Sequence, residues 1–166
     1  MKIYIVRHAL AELRENWPDP DEQRPLTAKG RKKMARIAAG LRKLEVELTH
    51  LYSSPLVRAQ QTAEILQEGL QTKKIVQTDL LVPAADPAKI LPFLNEHDDE
   101  ATLALVGHEP HVSALLAFLL TAKSAAFALF KKGGVALLEG GKPLRPGHLL
   151  LRWLLEPNQL AALGEK

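Results

Sequence analysis

The sequence predicts an α/β fold on a largely parallel sheet, and three observations carry that prediction. Strand and helix signals alternate along the chain. Two strand candidates, Ile3–Val6 and Thr102–Val106, are apolar enough to lie in a core. Three strand candidates end in residues of unusual chemistry, Arg7-His8, Ser53-Ser54 and Gly107-His108, where ligands of such sheets collect. At 166 residues, with 46% hydrophobic and 25% charged, the chain fits one domain, residues 1–166, with a core sufficient for stability.

The elements follow in order. "KIYIVR" is β-branched and aromatic and predicts a first strand, Ile3 to Arg7. A polar, proline-rich loop, "RENWPDPDEQRP", comes next. Thr27 is placed to cap a helix that carries Met34, Ile37, Ala38, Leu41 and Leu44 on one face. "LTHLYSS" predicts a second strand, and Ser54-Pro55 a helix start, with Ser54 as N-cap and proline in the first turn. A short strand, Lys74 to Thr78, and a short helix, Pro87 to His97, precede the apolar strand Thr102 to Val106. A helix from Pro110 to Leu120 and two strands, Val135 to Leu138 and Leu149 to Leu155, complete the order. Gly133-Gly134 and Gly140-Gly141 mark turns there.

Composition excludes several functions. With no cysteine, a disulfide framework, a thiolate zinc site and a catalytic thiol are all ruled out. The net charge of +3, from 22 basic and 19 acidic residues, is spread along the chain, so no nucleic-acid partner is predicted. Nothing resembles a signal peptide, and the longest apolar run, Val112 to Leu120, is too short to span a bilayer. No membrane association is predicted, and a cytoplasmic location is the default.

The strand ends bring two arginines, Arg7 and Arg58, toward two histidines, His8 and His108. Guanidinium groups fork onto phosphate oxygens and stay charged at any working pH. Neutral imidazole attacks phosphorus and can carry a phosphoryl group. Phosphoryl transfer spreads charge over three oxygens, and its catalysis is chiefly positioning and electrostatic stabilisation. Such a set needs no metal or other cofactor. One geometric difficulty stands: adjacent strand residues such as Arg7 and His8 point to opposite faces unless the chain leaves the strand there.

"VRHALAE", "QRPLTAKG", "YSSPLVRAQQTAEIL" and "LVGHEPHV", in that order, resemble the histidine phosphatase superfamily, and most of all its short, SixA-like phosphohistidine phosphatases. The resemblance implies a phosphoglycerate mutase-like, three-layer sandwich: a mostly parallel central sheet, helices on both faces, and an antiparallel edge late in the chain. It implies His8 as the phosphorylated nucleophile, Arg7, Arg58 and His108 as phosphoryl-binding catalytic groups, and Arg24 as a substrate-binding residue near the mouth. The partner is then a protein phosphorylated on histidine, or a small phosphorylated substrate.

Two departures bear on that reading. The family's "RHG" is "RHA" here, so Ala9 has to accept the glycine's backbone angles. Larger members carry a general acid after the third strand, whereas "TDLLVPAADP" offers only Asp79 and Asp86 outside any motif. An alkoxide leaving group needs a proton more than the imidazole of phosphohistidine does. The alternatives are a small-molecule phosphomonoesterase or mutase of the same fold, and a non-catalytic phosphoprotein-binding module. Other features have plainer readings. "HEPH" lacks the spacing and third ligand of a metal site. His97 is read as a solvated helix end, His50 and His148 as loop residues, and the "FKKGG" lysines as a solvated turn or a lure for an acidic protein.

Overall fold

A computed structural model describes residues 1–72 and 74–165. Six strands form one sheet in the order β3-β2-β4-β1-β5-β6: β1 (Lys2–Arg7), β2 (His50–Ser53), β3 (Ile75–Gln77), β4 (Thr102–Gly107), β5 (Val135–Glu139) and β6 (Leu150–Leu155). The first four run parallel, and β5 pairs antiparallel with both β1 and β6. The late strands thus form the expected antiparallel edge, with β6 outermost and the reversed β5 just inside it.

Side-chain alternation along β1 sorts the core into two halves. Tyr4 and Val6 join the half under α1 (Ala28–Lys43), α2 (Val57–Leu70) and α5 (Pro157–Leu163), and Ile3 and Ile5 the half under α3 (Ile90–Asn95) and α4 (His111–Thr121). Both faces of the sheet are thus covered, which is why β1 and β4 are apolar nearly throughout.

Thr27 caps α1 as predicted, accepting from the Gly30 amide, and Met34, Ile37, Ala38 and Leu41 are buried. Leu44 departs from that stripe: it is the C-cap and is exposed. Ser54 departs too. The helix begins at Val57, beyond Leu56, because the Ser54 hydroxyl contacts His108 and takes only a 3.3 Å hydrogen bond from the Leu56 amide. The predicted helix at Pro87 divides into a 3₁₀ turn, Pro87–Lys89, and the short α3. The sequence pattern gives no sign of α5, which begins at Pro157 behind a Glu156–Gln159 capping box. It lies so close to α1 that a Cβ on Gly40 would stand 2.1 Å from the Leu160 carbonyl oxygen. Glycine is what permits that approach.

His97 is not solvated as expected. Its Nδ1 lies 3.0 Å from the Phe93 carbonyl and its Nε2 2.6 Å from the Tyr52 hydroxyl. His50, at the start of β2, stacks on Tyr52 and meets the His97 ring edge-on. His148 lies exposed in the turn before β6, as expected. Among the described residues, no helix is long and apolar enough to cross a membrane.

Candidate active site

The sheet register builds the site. Parallel pairing sets Arg7 of β1 opposite Gly107 of β4, so the next residues, His8 and His108, emerge side by side. Their rings lie 5.0 Å apart between centroids. On the other flank of β4 the Ser54 amide donates to the Val106 carbonyl, which brings the Ser54 hydroxyl within 2.9 Å of His108 Nε2.

The difficulty over Arg7 and His8 resolves at the strand end. Arg7 is the last residue of β1, and the chain has left the strand at His8. The Arg7 amide donates to Gly134 and the His8 amide to Gly107, at the two flanks of β1. Gly133, at φ +85°, turns the chain so that its amide faces the carbonyls of both Arg7 and His8 at 3.1 Å. Only glycine takes that angle without strain. Ala9 needs no such freedom: its φ lies outside the left-handed region, and its amide donates to Thr62 Oγ1 at 3.0 Å.

Arg7, His8, Arg24, Arg58, His108 and Lys132 share the wall of one cavity of about 330 Å³. All five residues singled out in the sequence are therefore together. Lys132 joins them from the turn before β5 and was missed as a site residue, since a lysine pair before two glycines is the ordinary composition of a solvated turn. Glu12 and Glu109 also line the cavity, whereas Asp79 and Asp86 do not. Asp86 instead caps the 3₁₀ turn through the Ala88 amide.

Each functional side chain is held from outside the cavity. His8 Nδ1 stands 2.7 Å from the Ala9 carbonyl, which can only accept, so Nδ1 carries the proton and Nε2 the lone pair. Burial, then the charges of Arg58, Arg7 and Lys132, outweigh that hydrogen bond and press the His8 imidazole down to about 3. Burial, then the neighbouring His8 and Arg58, bring His108 down to about 2. Both rings are neutral at physiological pH.

Arg7 donates from Nη1 to the Phe130 carbonyl at 2.5 Å. Arg58 spans Asp21, donating to its carbonyl at 2.8 Å and its carboxylate at 3.0 Å. The other Asp21 carboxylate oxygen accepts from Arg24 Nε at 2.8 Å. Burial works to raise the Asp21 carboxyl, but the Arg24 hydrogen bond and the charges of Arg58 and Arg24 hold it below its ordinary value. Asp21 thus fixes two arginines at once, a role no motif in the loop signalled. The Nε–H groups of Arg7 and Arg58 are buried without an acceptor, as is His108 Nδ1 without a partner. Buried polar groups are seldom left so, and all three belong to residues that line one cavity.

His111, predicted not to bind metal, opens α4 and is buried, and both its ring nitrogens lack a partner. Burial lowers its pKa. No three His, Asp or Glu side chains gather as a metal would require among the described residues.

Two imidazoles and several guanidinium groups on one cavity wall have the chemistry to hold a tetrahedral oxyanion. Residues 3–81 match the model of the histidine phosphatase superfamily, branch 1. The chain belongs to that superfamily. It is 30% identical over 122 residues to the phosphohistidine phosphatase SixA of Escherichia coli, covering 72% of this chain and 74% of that one. It is 31% identical over 150 residues to an uncharacterized protein of Picosynechococcus, covering 89% and 90% of the two. A structure of the protein histidine phosphatase SixA complexed with tungstate superposes with a TM-score of 0.86 at 26% identity, over 96% of this chain and 99% of that one.

Proposed function

We propose that this protein is a phosphatase that hydrolyses phosphohistidine on proteins by way of a phosphorylated His8. The observation that carries the reading is the pairing of a neutral imidazole, its lone pair on Nε2, with two buried guanidinium groups whose Nε–H donors lack an acceptor. The nucleophile is ready without a base, and the donors match an oxyanion. The SixA relative that binds tungstate, a tetrahedral oxyanion, is in keeping with this.

In the first step His8 Nε2 gives its lone pair to phosphorus as the bond from phosphorus to the substrate imidazole breaks. The departing ring takes its proton from solvent. Water then attacks the phosphorylated His8, orthophosphate leaves, and the imidazole is restored. Arg7, Arg58 and His108 hold the phosphoryl oxygens throughout, with Arg24 nearer the mouth. Charge is stabilised best by donors fixed in advance, and Phe130, Asp21 and Ser54 fix these.

A second reading has one observation in its favour. The Glu12 and Glu109 carboxylates line the cavity, and a phosphomonoesterase needs an acid for its alkoxide. Glu109 Oε1 accepts from Ser113 and from the Phe130 amide, so the acid of that reading is either Glu12 or the other carboxyl oxygen of Glu109.

Rapid quenching with a labelled phosphoryl donor tests the nucleophile. Acid-labile label is expected on the wild-type protein and none on His8→Ala, with the circular dichroism of the two alike. Wild-type turnover in His8→Ala would refute the assignment. Faster turnover of phosphoserine than of phosphohistidine would favour the second reading.

A further inference from the structure

The cavity that holds His8 does not end at Lys132. A second cavity of about 400 Å³ shares Arg7 and Lys132 with it and runs along the first turns of α1 toward Pro157. Beneath it lie the core residues Met34 and Ile37, both buried. Its rim is cationic, with Lys29 and Lys33 from α1 facing Lys131 and Lys132 from the turn before β5.

These charges are poorly compensated. Lys131 pairs with Glu156 at 2.8 Å, both exposed, the kind of ion pair that contributes little. Lys33 donates to the neutral Asn158 side chain at 2.6 Å. Among the described residues, Lys29 and Lys132 form no ion pair. Lys132 is half-buried beside Arg7, Arg24 and Arg58, and burial and those three charges lower its pKa. A further groove shares Lys29 and Lys33 and adds Lys32, and it closes at Arg36, which is paired with Glu165. The folded chain bears the repulsion of gathering these groups, and a negatively charged partner relieves it.

We infer that this groove docks an acidic segment of the phosphorylated partner protein, its carboxylates on the lysine rim. The inference rests on the phosphohistidine reading and adds the class of partner. Because the groove and the phosphoryl cavity share two residues, the acidic positions lie close in sequence to the phosphorylated histidine. Opposite charge speeds encounter and fixes register. "FKKGG" is then a selectivity element, with Lys132 turned to the phosphoryl group and Lys131 to the docked chain.

Two synthetic peptides test this, each with one phosphohistidine, one flanked by glutamates and the other by glutamines. In low salt the wild-type kcat/KM is expected to favour the acidic peptide by about tenfold, and at about 0.5 M salt the preference should shrink because screening then acts within a few ångströms. Lys29→Glu with Lys33→Glu should abolish the preference and leave phosphoramidate turnover unchanged, since neither lysine lines the phosphoryl cavity. Equal kcat/KM for the two peptides in the wild type would overturn the inference while leaving the phosphatase reading intact. So would a preference that survives in the double variant, or a double variant that loses phosphoramidate turnover. If the wild type turns over neither peptide nor phosphoramidate, the phosphohistidine reading fails and the docking inference falls with it.

Discussion

Two pairs of histidines lie at opposite ends of the sheet, and their rings are almost equally spaced. His8 and His108 stand 5.0 Å apart beyond the carboxyl ends of β1 and β4; His50 and His97 stand 4.9 Å apart beside the start of β2. Their surroundings differ. His97 donates from Nδ1 to Phe93 and accepts at Nε2 from Tyr52, so its polar atoms are spent on the fold. His8 and His108 each keep one ring nitrogen free of the protein, and four arginines and a lysine share their cavity. Proximity of two imidazoles therefore carries no functional meaning by itself. An unspent nitrogen in a cationic pocket does.

Exchanging the two pairs under mutation gives the largest contrast. His108→Asn is expected to lower kcat/KM roughly 100- to 1,000-fold, as loss of one preorganised oxyanion donor does. His97→Asn should leave kcat/KM unchanged and cost about 1–2 kcal/mol of stability through the lost Tyr52 and Phe93 hydrogen bonds, read by urea unfolding. Equal activity losses in the two variants would erase the distinction between the two pairs.

A smaller effect is expected from pH. His8 and His108 lie at about 3 and about 2 in the folded chain against an ordinary 6.5. Between those values the unfolded chain binds more protons, so their contribution to stability is complete above about pH 6.5 and drains away as pH falls toward 3. Side-chain NMR should show both rings neutral at pH 5, and a protonated His8 there would contradict the burial argument.

The smallest change is expected from Ala9→Gly. Because Ala9 is unstrained, restoring the family's glycine should gain no activity and cost about 0.5–1 kcal/mol through the greater freedom of the unfolded chain. A clear rise in kcat would mean that the alanine constrains the nucleophile.

Much of this architecture was legible in the sequence, for identifiable reasons. β1 and β4 advertise themselves because both faces are covered, and His8 and His108 stand at their ends because the parallel register carries both there. Ser54 was misread because a Ser-Pro pair has the composition of a helix start; its hydroxyl is spent on an imidazole 54 residues away, which local pattern cannot disclose. Asp21 and Lys132 share that obstacle. Each looks like an ordinary loop charge until the fold carries it to Arg58. The short α5 went unread because its seven residues offer a single cap and little periodicity.

The bridging of Arg24 and Arg58 by Asp21 has a thermodynamic corollary. Asp21 holds both guanidinium groups with a single carboxylate, and although Glu12 and Glu109 share the hollow, Arg7, Arg14 and Lys132 crowd it too. An inorganic tetrahedral anion that settles there ties together segments otherwise distant along the polypeptide, and the native state deepens by mass action. The temperature at which this molecule melts thus becomes a gauge of the phosphate around it, and heat resistance measured in phosphate buffer will exceed that in an anion-poor one.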